Sequence, residues 1–491
     1  STSVSLISTV AKSVILSTGT YMNSEILVGH SKHSGGPDGE KPSIGLSDSL
    51  KKMGIEIIRL KTGTPQRIAK ESIDFSKGII QEGNVEDEGF SYEDHDFIPI
   101  SKQIPCWLIY TTPETHKIIK DNLLESAMYG GLVKGVGPRY CPSIEDKIVR
   151  FSDKPRHQLF LEPESYDTNS IYLQGFSTSM PVEIQEKMVH SLPGLENAKI
   201  LKYAYAIEYD ALDPTQFDTS LMVKKYKGLF IAGQICGTSG YEEAAGLGLM
   251  AGINAGQYVL NKPPFILNRD EAYIGVMIDD LITKGTKEPY RLLSSRAEYR
   301  LLLRHDNADL RLTEYGHQLG LISNERYKIF LKKKKDISVL EDYLKNNYFG
   351  KTSKVNEYLV ELGYEPLENG VSYEEILKRN NVTFTRLKEY MIDYPNDVNL
   401  NSIGEKQISI LVKYQGYIQN EKLEAMKAKK LESIKLPSNF DYSKLDGLAL
   451  EARQKFNNIQ PKDIGQASRI SGVNPSDINS LIIHIKKGDL K

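Results

Sequence analysis

The residues best equipped for chemistry are gathered in Gly135-Val136-Gly137-Pro138-Arg139-Tyr140-Cys141-Pro142-Ser143-Ile144-Glu145-Asp146-Lys147, where a cysteine sits between a turn-forming run and a charged stretch. A thiol attacks only when ionised, and Arg139 before it and Lys147 beyond it favour the thiolate. The Ser143 to Asp146 spacing predicts a helix start, which aims unpaired amides near the sulfur. A cysteine there also suits a small buried apolar position. A second candidate is Gly228 to Glu243, an apolar strand ending in a glycine-rich turn before a helix over Ala244 to Leu260 that carries Gly246, Gly248, Gly252 and Gly256. A helix N-terminus at the carboxyl end of a strand stabilises an electron-rich cofactor edge, although such turns also serve as plain connectors. Glu242 and Glu243 complement the helix dipole. Third, Arg296, Arg300 and Arg304 recur every four residues. If helical, they present three guanidinium groups on one face, suited to phosphates or to pairing with acids such as Glu298, while Leu301, Leu302 and Leu303 reach the core.

The elements that must position these groups belong to a long chain. Its 491 residues suggest two to four domains, and 40% hydrophobic with 26% charged residues is an ordinary globular balance. Three cysteines cannot build a disulfide framework and lack metal-ligand spacing, which points to a reducing compartment and away from zinc. No apolar run reaches membrane-span length and no signal sequence is legible, so a cytoplasmic protein is expected. The net charge of -2 gives no global attraction to nucleic acid, so an RNA partner must meet a local basic patch, to which Arg291 and Arg311 would add.

The pattern along the chain is that of an interrupted α/β domain. Ser13 to Gly19 reads as a buried strand close to the start, without a G-x-G-x-x-G loop after it, so the chain is expected to begin mid-domain. Ile55 to Leu60 reads as a strand, followed by a loop carrying Lys61, Thr62 and Thr64, placed for ligand contacts or for turn chemistry. Ser43 reads as a contact residue or as the cap of a helix carrying Leu46 and Leu50. Strand-like runs at His157 to Leu161 and Ile171 to Gln174 mark an inserted α+β domain, and from Asn268 onward helical periodicity dominates. Asn474, Pro475 and Gly488 punctuate a final helix, and Lys332 to Lys335 reads as a solvated helix face.

Several stretches resemble the MnmG (GidA) family of flavin-dependent tRNA-modifying enzymes across nearly the whole chain. They are Leu16 to Thr20, Arg59 to Pro65, Gly137 to Phe151, His157 to Pro163, Ala232 to Gly248, Tyr273 to Leu281, Ser295 to Arg304 and Gly465 to Ile470. The resemblance implies a Rossmann-like FAD-binding domain in two parts, 1–65 and 220–262. It also implies an inserted nicotinamide-binding α+β domain at 66–219, and an all-α region made of a tRNA-binding domain (263–410) and a GTPase-docking domain (411–491). The family's FAD phosphate loop and second redox cysteine would lie before Ser1, and Pro37 stands where some members carry arginine. Cys141 resembles the family's catalytic cysteine. Gly137, Pro138, Arg139, Tyr140, Glu145, Asp146 and Lys147 resemble its nicotinamide-binding segment, while Ser43, Gly233, Gln234, Gly237 and Gly240 resemble its FAD contacts. Arg296, Arg300 and Arg304 are the expected tRNA contacts. The implied reaction adds a carboxymethylaminomethyl or aminomethyl group at carbon 5 of the wobble uridine of tRNA, using FAD, NADH and methylenetetrahydrofolate. The implied partners are tRNA, the GTPase MnmE and a second copy of the chain. A related folate-dependent tRNA uracil-5-methyltransferase shares the flavin architecture but typically lacks the long helical extension, and a non-catalytic tRNA- or GTPase-binding module is the third reading.

Overall fold

The computed structural model describes residues 10–83, 91–92, 98–139 and 142–489. Strand β1 (Val14–Leu16) pairs in parallel with β12 (Leu229–Ile231), and the two deliver Ser17 and Ala232 side by side at their carboxyl ends. β1 is shorter and more open than expected, with Val14 and Ile15 46% and 40% exposed. Among the described residues β12 is its one strand partner, which leaves its other edge open. The helix after β12 runs Tyr241–Val259 and packs Leu247, Met250 and Ala251 into a core shared with Met277, Ile278 and Leu281 of the helix Tyr273–Lys284. Gly246 lets these helices approach, since a Cβ there would lie 3.3 Å from Ile274.

Two antiparallel sheets follow. The first, in the order β3-β2-β11-β4, contains β2 (Glu25–Val28), β3 (Ser31–Ser34), β4 (Ile57–Thr64) and β11 (Tyr205–Leu212). The expected loop at Lys61 to Thr64 is instead the second half of β4, because the ladder with β11 continues unbroken from Ile57 opposite Leu212 to Thr64 opposite Tyr205. Gly63 marks no turn there. The second sheet, in the order β10-β5-β9-β8-β7-β6, contains β5 (Arg67–Ala69), β6 (Ile79–Gln81), β7 (Cys106–Tyr110), β8 (Gln158–Pro163), β9 (Ser170–Gln174) and β10 (Ile200–Lys202). Leu159, Leu161, Ile171 and Leu173 alternate inward along β8 and β9, the period-two pattern of a half-buried sheet. They meet Ile119, Ile148 and Met188 from the helices Pro113–Asp121, Ile144–Arg150 and Val182–His190.

The remainder is helical apart from a short pair, β13 (Tyr348–Phe349) with β14 (Val371–Ser372). One helical core gathers Leu340, Leu359, Ile376, Leu387 and Ile408, and another gathers Tyr442, Phe456, Ile464 and Leu481. The second is stitched to the body by Arg469, whose guanidinium meets both oxygens of Asp279 at 2.6 and 3.1 Å and Glu432 at 3.0 Å. Behind it Arg269 bridges Asp280 at 2.8 Å and Glu298 at 2.8 Å. The final helix, Pro475–Lys487, begins in a capping box in which Asn474 accepts from the Asp477 amide, and it ends at Gly488 in the left-handed region. The lysine run is more engaged than a solvated face, since Lys332 pairs with Asp336 at 2.8 Å and Lys333 with Asp309 at 2.6 Å.

Candidate functional site

The carboxyl ends of β1 and β12 form the first half of the site. Gly233 takes φ of 78°, and a Cβ there would meet nothing within 4 Å, so the backbone of the Gly233–Cys236 turn faces open space. Gly237, at φ 92°, ends the turn, and Gly240 caps the following helix beneath the folded-back Glu243 carboxylate. Glu243 accepts the Leu292 amide at 2.9 Å and meets Arg291 at 3.2 Å, so it orders a neighbouring loop as well as opposing the helix dipole. The hydroxyls of Thr18, Thr238 and Ser239 are buried here without hydrogen-bond partners among the described residues. Unsatisfied buried hydroxyls at the end of parallel strands fit a polar ligand edge.

Ser43 belongs to this half. Its amide donates to the Tyr21 carbonyl at 2.8 Å, and it lines a cleft of about 470 Å³ with Ser17, Thr18, Gly19 and Lys41. It caps no helix, because the helix Leu46–Lys52 starts from Gly45 in a left-handed conformation, two residues later. The cleft at the end of β1 is thus lined by the hydroxyl residues Ser17, Thr18 and Ser43, and the open Gly233 backbone follows the neighbouring strand β12, groups that suit the polar edge of a flavin.

The second half lies along the free edge of β4. Val136 forms a parallel bridge to Leu60, and the Lys61 amide donates to the Val136 carbonyl at 3.0 Å. A Cβ at Gly135 would come within 2.9 Å of the Leu60 carbonyl, so the close approach needs glycine. Pro138 is partly buried and Arg139 exposed, while Tyr140 and Cys141 lie outside the described residues. The helix start at Ser143 is as expected, its hydroxyl accepting from the Asp146 amide at 3.4 Å. Glu145, Asp146 and Lys147 turn towards the protein. Glu145 is fully buried and accepts from Thr178 at 2.9 Å and the Ser179 amide at 3.0 Å. Asp146 accepts from the Tyr129 hydroxyl at 3.0 Å, and Lys147 donates to the Gly175 carbonyl at 2.9 Å. Of the other cysteines, burial pushes the Cys236 thiol up, and burial with the Glu162 charge does the same for Cys106, which keeps both protonated.

One strand serves both halves. Adjacent residues of β11 point to opposite faces, and Glu208 accepts the amides of Lys134 and Gly135 while Tyr209 is fully buried near Gln234, its hydroxyl without a hydrogen-bond partner among the described residues. Burial pushes the Tyr209 phenol up, and Gln234 opposes that shift. Sequence reasoning missed Thr18, Glu208, Tyr209, Thr238 and Ser239. The acids Glu208 and Asp210 within the otherwise apolar Tyr205–Leu212 were the available signal.

The expected arginine face does not form. Ser294–Arg296 is a single 3-10 turn, Ala297 is extended, and one further turn closes on the Tyr299 carbonyl, which accepts the Leu303 amide at 3.0 Å, before the 3-10 turn His305–Asn307. The cause is tertiary: Glu421 accepts the amides of Leu301 and Leu302 at 3.0 and 3.1 Å, which a helix would need for itself. Arg296 stacks 4.3 Å over Tyr290 and donates to the Arg291 carbonyl at 2.8 Å. Arg304 is held by Asp306 at 3.1 Å and Gln407 at 3.0 Å, and Arg300 stands exposed.

Three family models cover most of the chain. They are glucose inhibited division protein A over residues 5–263, the tRNA modifying enzyme MnmG/GidA C-terminal helical domain over 324–422, and the MnmG/GidA C-terminal helical bundle over 424–491. The chain belongs to the MnmG/GidA family. A relative from Bacillus subtilis, called tRNA uridine 5-carboxymethylaminomethyl modification enzyme MnmG, is 52% identical over 97% of this chain and 75% of its own length. Its namesake from Geobacillus kaustophilus is likewise 52% identical, with the same coverage. Aquifex aeolicus GidA, in its form II crystal, aligns with a TM-score of 0.85 at 43% identity over 96% of this chain and 75% of that one. The α/β body with helical C-terminal domains is thus the MnmG/GidA fold. Among the described residues no helix is long and apolar enough to cross a membrane.

Proposed function

We propose that this chain modifies tRNA, adding a carboxymethylaminomethyl or aminomethyl group at carbon 5 of the wobble uridine. The observation that carries this reading is the pair of parallel strand ends, β1 leading to the buried Thr18 hydroxyl and β12 to the open Gly233 backbone, in a chain 52% identical to enzymes named for this modification. Gly233, Gln234, Gly237, Gly240 and Ser43 would hold FAD, which supplies redox chemistry when bound, with NADH as reductant and methylenetetrahydrofolate as one-carbon donor. Cys141 is the reacting thiol, and the burial that keeps Cys106 and Cys236 protonated leaves it as the cysteine available for that task. Gly137, Pro138, Arg139 and Tyr140 are the nicotinamide contacts in this reading, and Glu145, Asp146 and Lys147, which bond to the protein body, brace the helix that follows.

In this reading residues 66–219 handle the nicotinamide, 263–410 contact tRNA, and 411–491 dock the GTPase MnmE, with the enzyme acting in the cytoplasm as a homodimer. Arg300 is the tRNA contact of the arginine series, and Arg296 and Arg304 brace its segment. The test is Cys141→Ser. Modification of the wobble uridine should disappear while FAD titration, followed by visible absorbance, stays as in the parent, because a hydroxyl matches the thiol in size but barely ionises near neutrality. Full activity in that variant, or no flavin band after FAD is added to the parent, would overturn the proposal.

A further inference from the structure

Glu208 is a charge in an unusual place. It sits in the middle of β11, is fully buried, and lies between Ile207 and Tyr209 in sequence, with Lys61 and Glu25 as its cross-strand neighbours. One carboxylate oxygen accepts two consecutive amides, those of Lys134 and Gly135. The other lies 3.6 Å from the Lys32 ammonium and 3.9 Å from the Arg59 guanidinium. Lys61, its cross-strand partner on β4, is itself buried and touches Met128 sulfur at 3.8 Å. A buried carboxylate is costly unless paired and hydrogen-bonded, and packing alone could be served by an apolar residue, so this arrangement holds something that packing would not.

What it holds is the entry to the cysteine segment. Lys134 and Gly135 lead through Val136, bridged to Leu60, and Gly137, whose Cβ would crowd Lys61 at 3.2 Å, into Pro138 and Arg139. This run contains two glycines and no buried large side chain of its own, so its path along β4 is fixed through its backbone, by the Val136 bridge on one side and by Glu208 at Lys134 and Gly135. We infer that Glu208 is a positioning residue for the reaction, anchoring the run that precedes Cys141 in sequence through the paired backbone amides of Lys134 and Gly135, where that run lies along the edge of β4. The inference rests on the reading of Cys141 as the reacting thiol. It assigns Glu208 no contact with substrate or cofactor. The same strand carries Tyr209 near Gln234, so one rigid element sets the run before Cys141 and the flavin turn together.

The test compares Glu208→Ala and Glu208→Gln in the full chain. In Glu208→Ala the amides of Lys134 and Gly135 should exchange hydrogen at least about 10-fold faster, while peptides from β8 and β9 keep their protection. The turnover number for uridine modification should fall about 100-fold, with tRNA affinity and FAD titration unchanged, since displacement of a reacting group by about 1 Å costs that much. Glutamine keeps an acceptor oxygen for both amides and loses only the charge, so it should recover most of that loss. If Glu208→Ala fails to fold, judged by Trp107 fluorescence, exchange and turnover in Glu208→Gln carry the test, with a fall of about 3- to 10-fold expected from the lost charge. Unchanged exchange at Lys134 and Gly135, faster exchange with unchanged turnover, or a glutamine variant as impaired as alanine would each overturn the role. Exchange is read on protein with its thiol intact, so failure there is distinct from failure of the thiol reading, which shows as retained activity in Cys141→Ser.

Discussion

Replacing Arg300 and Arg304 by alanine, one at a time, should separate an RNA contact from an internal brace that share the same spacing in sequence. The Arg304 guanidinium spans Asp306 at 3.1 Å, Gln407 at 3.0 Å and the Leu301 carbonyl, with its side chain 13% exposed. Charge-assisted hydrogen bonds contribute about 1.5–3 kcal/mol each and are not additive. Asp306 keeps the Gln407 amide when the arginine is lost, so the loss in Arg304→Ala should be about 2–4 kcal/mol rather than the sum. Gln407 is fully buried in the helix Ser402–Lys413, so the cost should appear in unfolding of the first helical core. Arg300 is exposed and makes no ion pair among the described residues, so Arg300→Ala should alter stability by under about 0.5 kcal/mol. It should instead flatten the dependence of tRNA affinity on salt by about 0.7–0.9 in the log–log slope, the share of one phosphate. Urea unfolding and tRNA titrations between about 50 and 200 mM salt measure the two effects. An unchanged slope in Arg300→Ala, or an Arg304→Ala protein of parental stability, refutes the division.

Two further outcomes follow from the geometry. Arg469→Ala removes the paired contact to Asp279, which keeps Arg269 at 3.2 Å; the bundle built on Phe456 and Leu481 should loosen by about 2–3 kcal/mol and become the first region cut in limited proteolysis. His116 and His157 stack at 5.4 Å and share Thr111, and burial lowers both below their ordinary value of 6.5, Lys120 adding to the effect at His116 and the neighbouring His116 charge at His157. The folded protein then binds fewer protons than the unfolded chain, so stability present at neutral pH is lost as pH falls below about 6.5. Thermal melts read by Trp107 between about pH 5 and 7.5 should show this slope, and His157→Gln should flatten it; a stability that rises on acidification would contradict the assignment.

Local chemistry was legible where it acts locally. The cap at Asn474, the stop at Gly488, the helix start at Ser143 and the glycine turn after β12 follow from backbone needs that a few neighbouring residues satisfy. The errors came where a distant partner decides. Thr64 looked like a loop residue because glycine and proline flank it, yet Tyr205 pairs with it. The arginine spacing looked helical, yet Glu421, more than a hundred residues on, takes the amides that a helix would use. Glu208 was hidden for the converse reason, since nothing beside it in sequence reveals which amides it will meet.

The seam at Arg469, Asp279, Arg269 and Asp280 has a practical corollary. These side chains are at most 19% exposed, so the mobile ions of the solvent do not gather around them. Raising ionic strength strips phosphate from surface cations and leaves this junction closed. The attachment of the last bundle is therefore a constant across a salt series, and a curve of RNA affinity against salt measures contacts on the outside of an unmoving body.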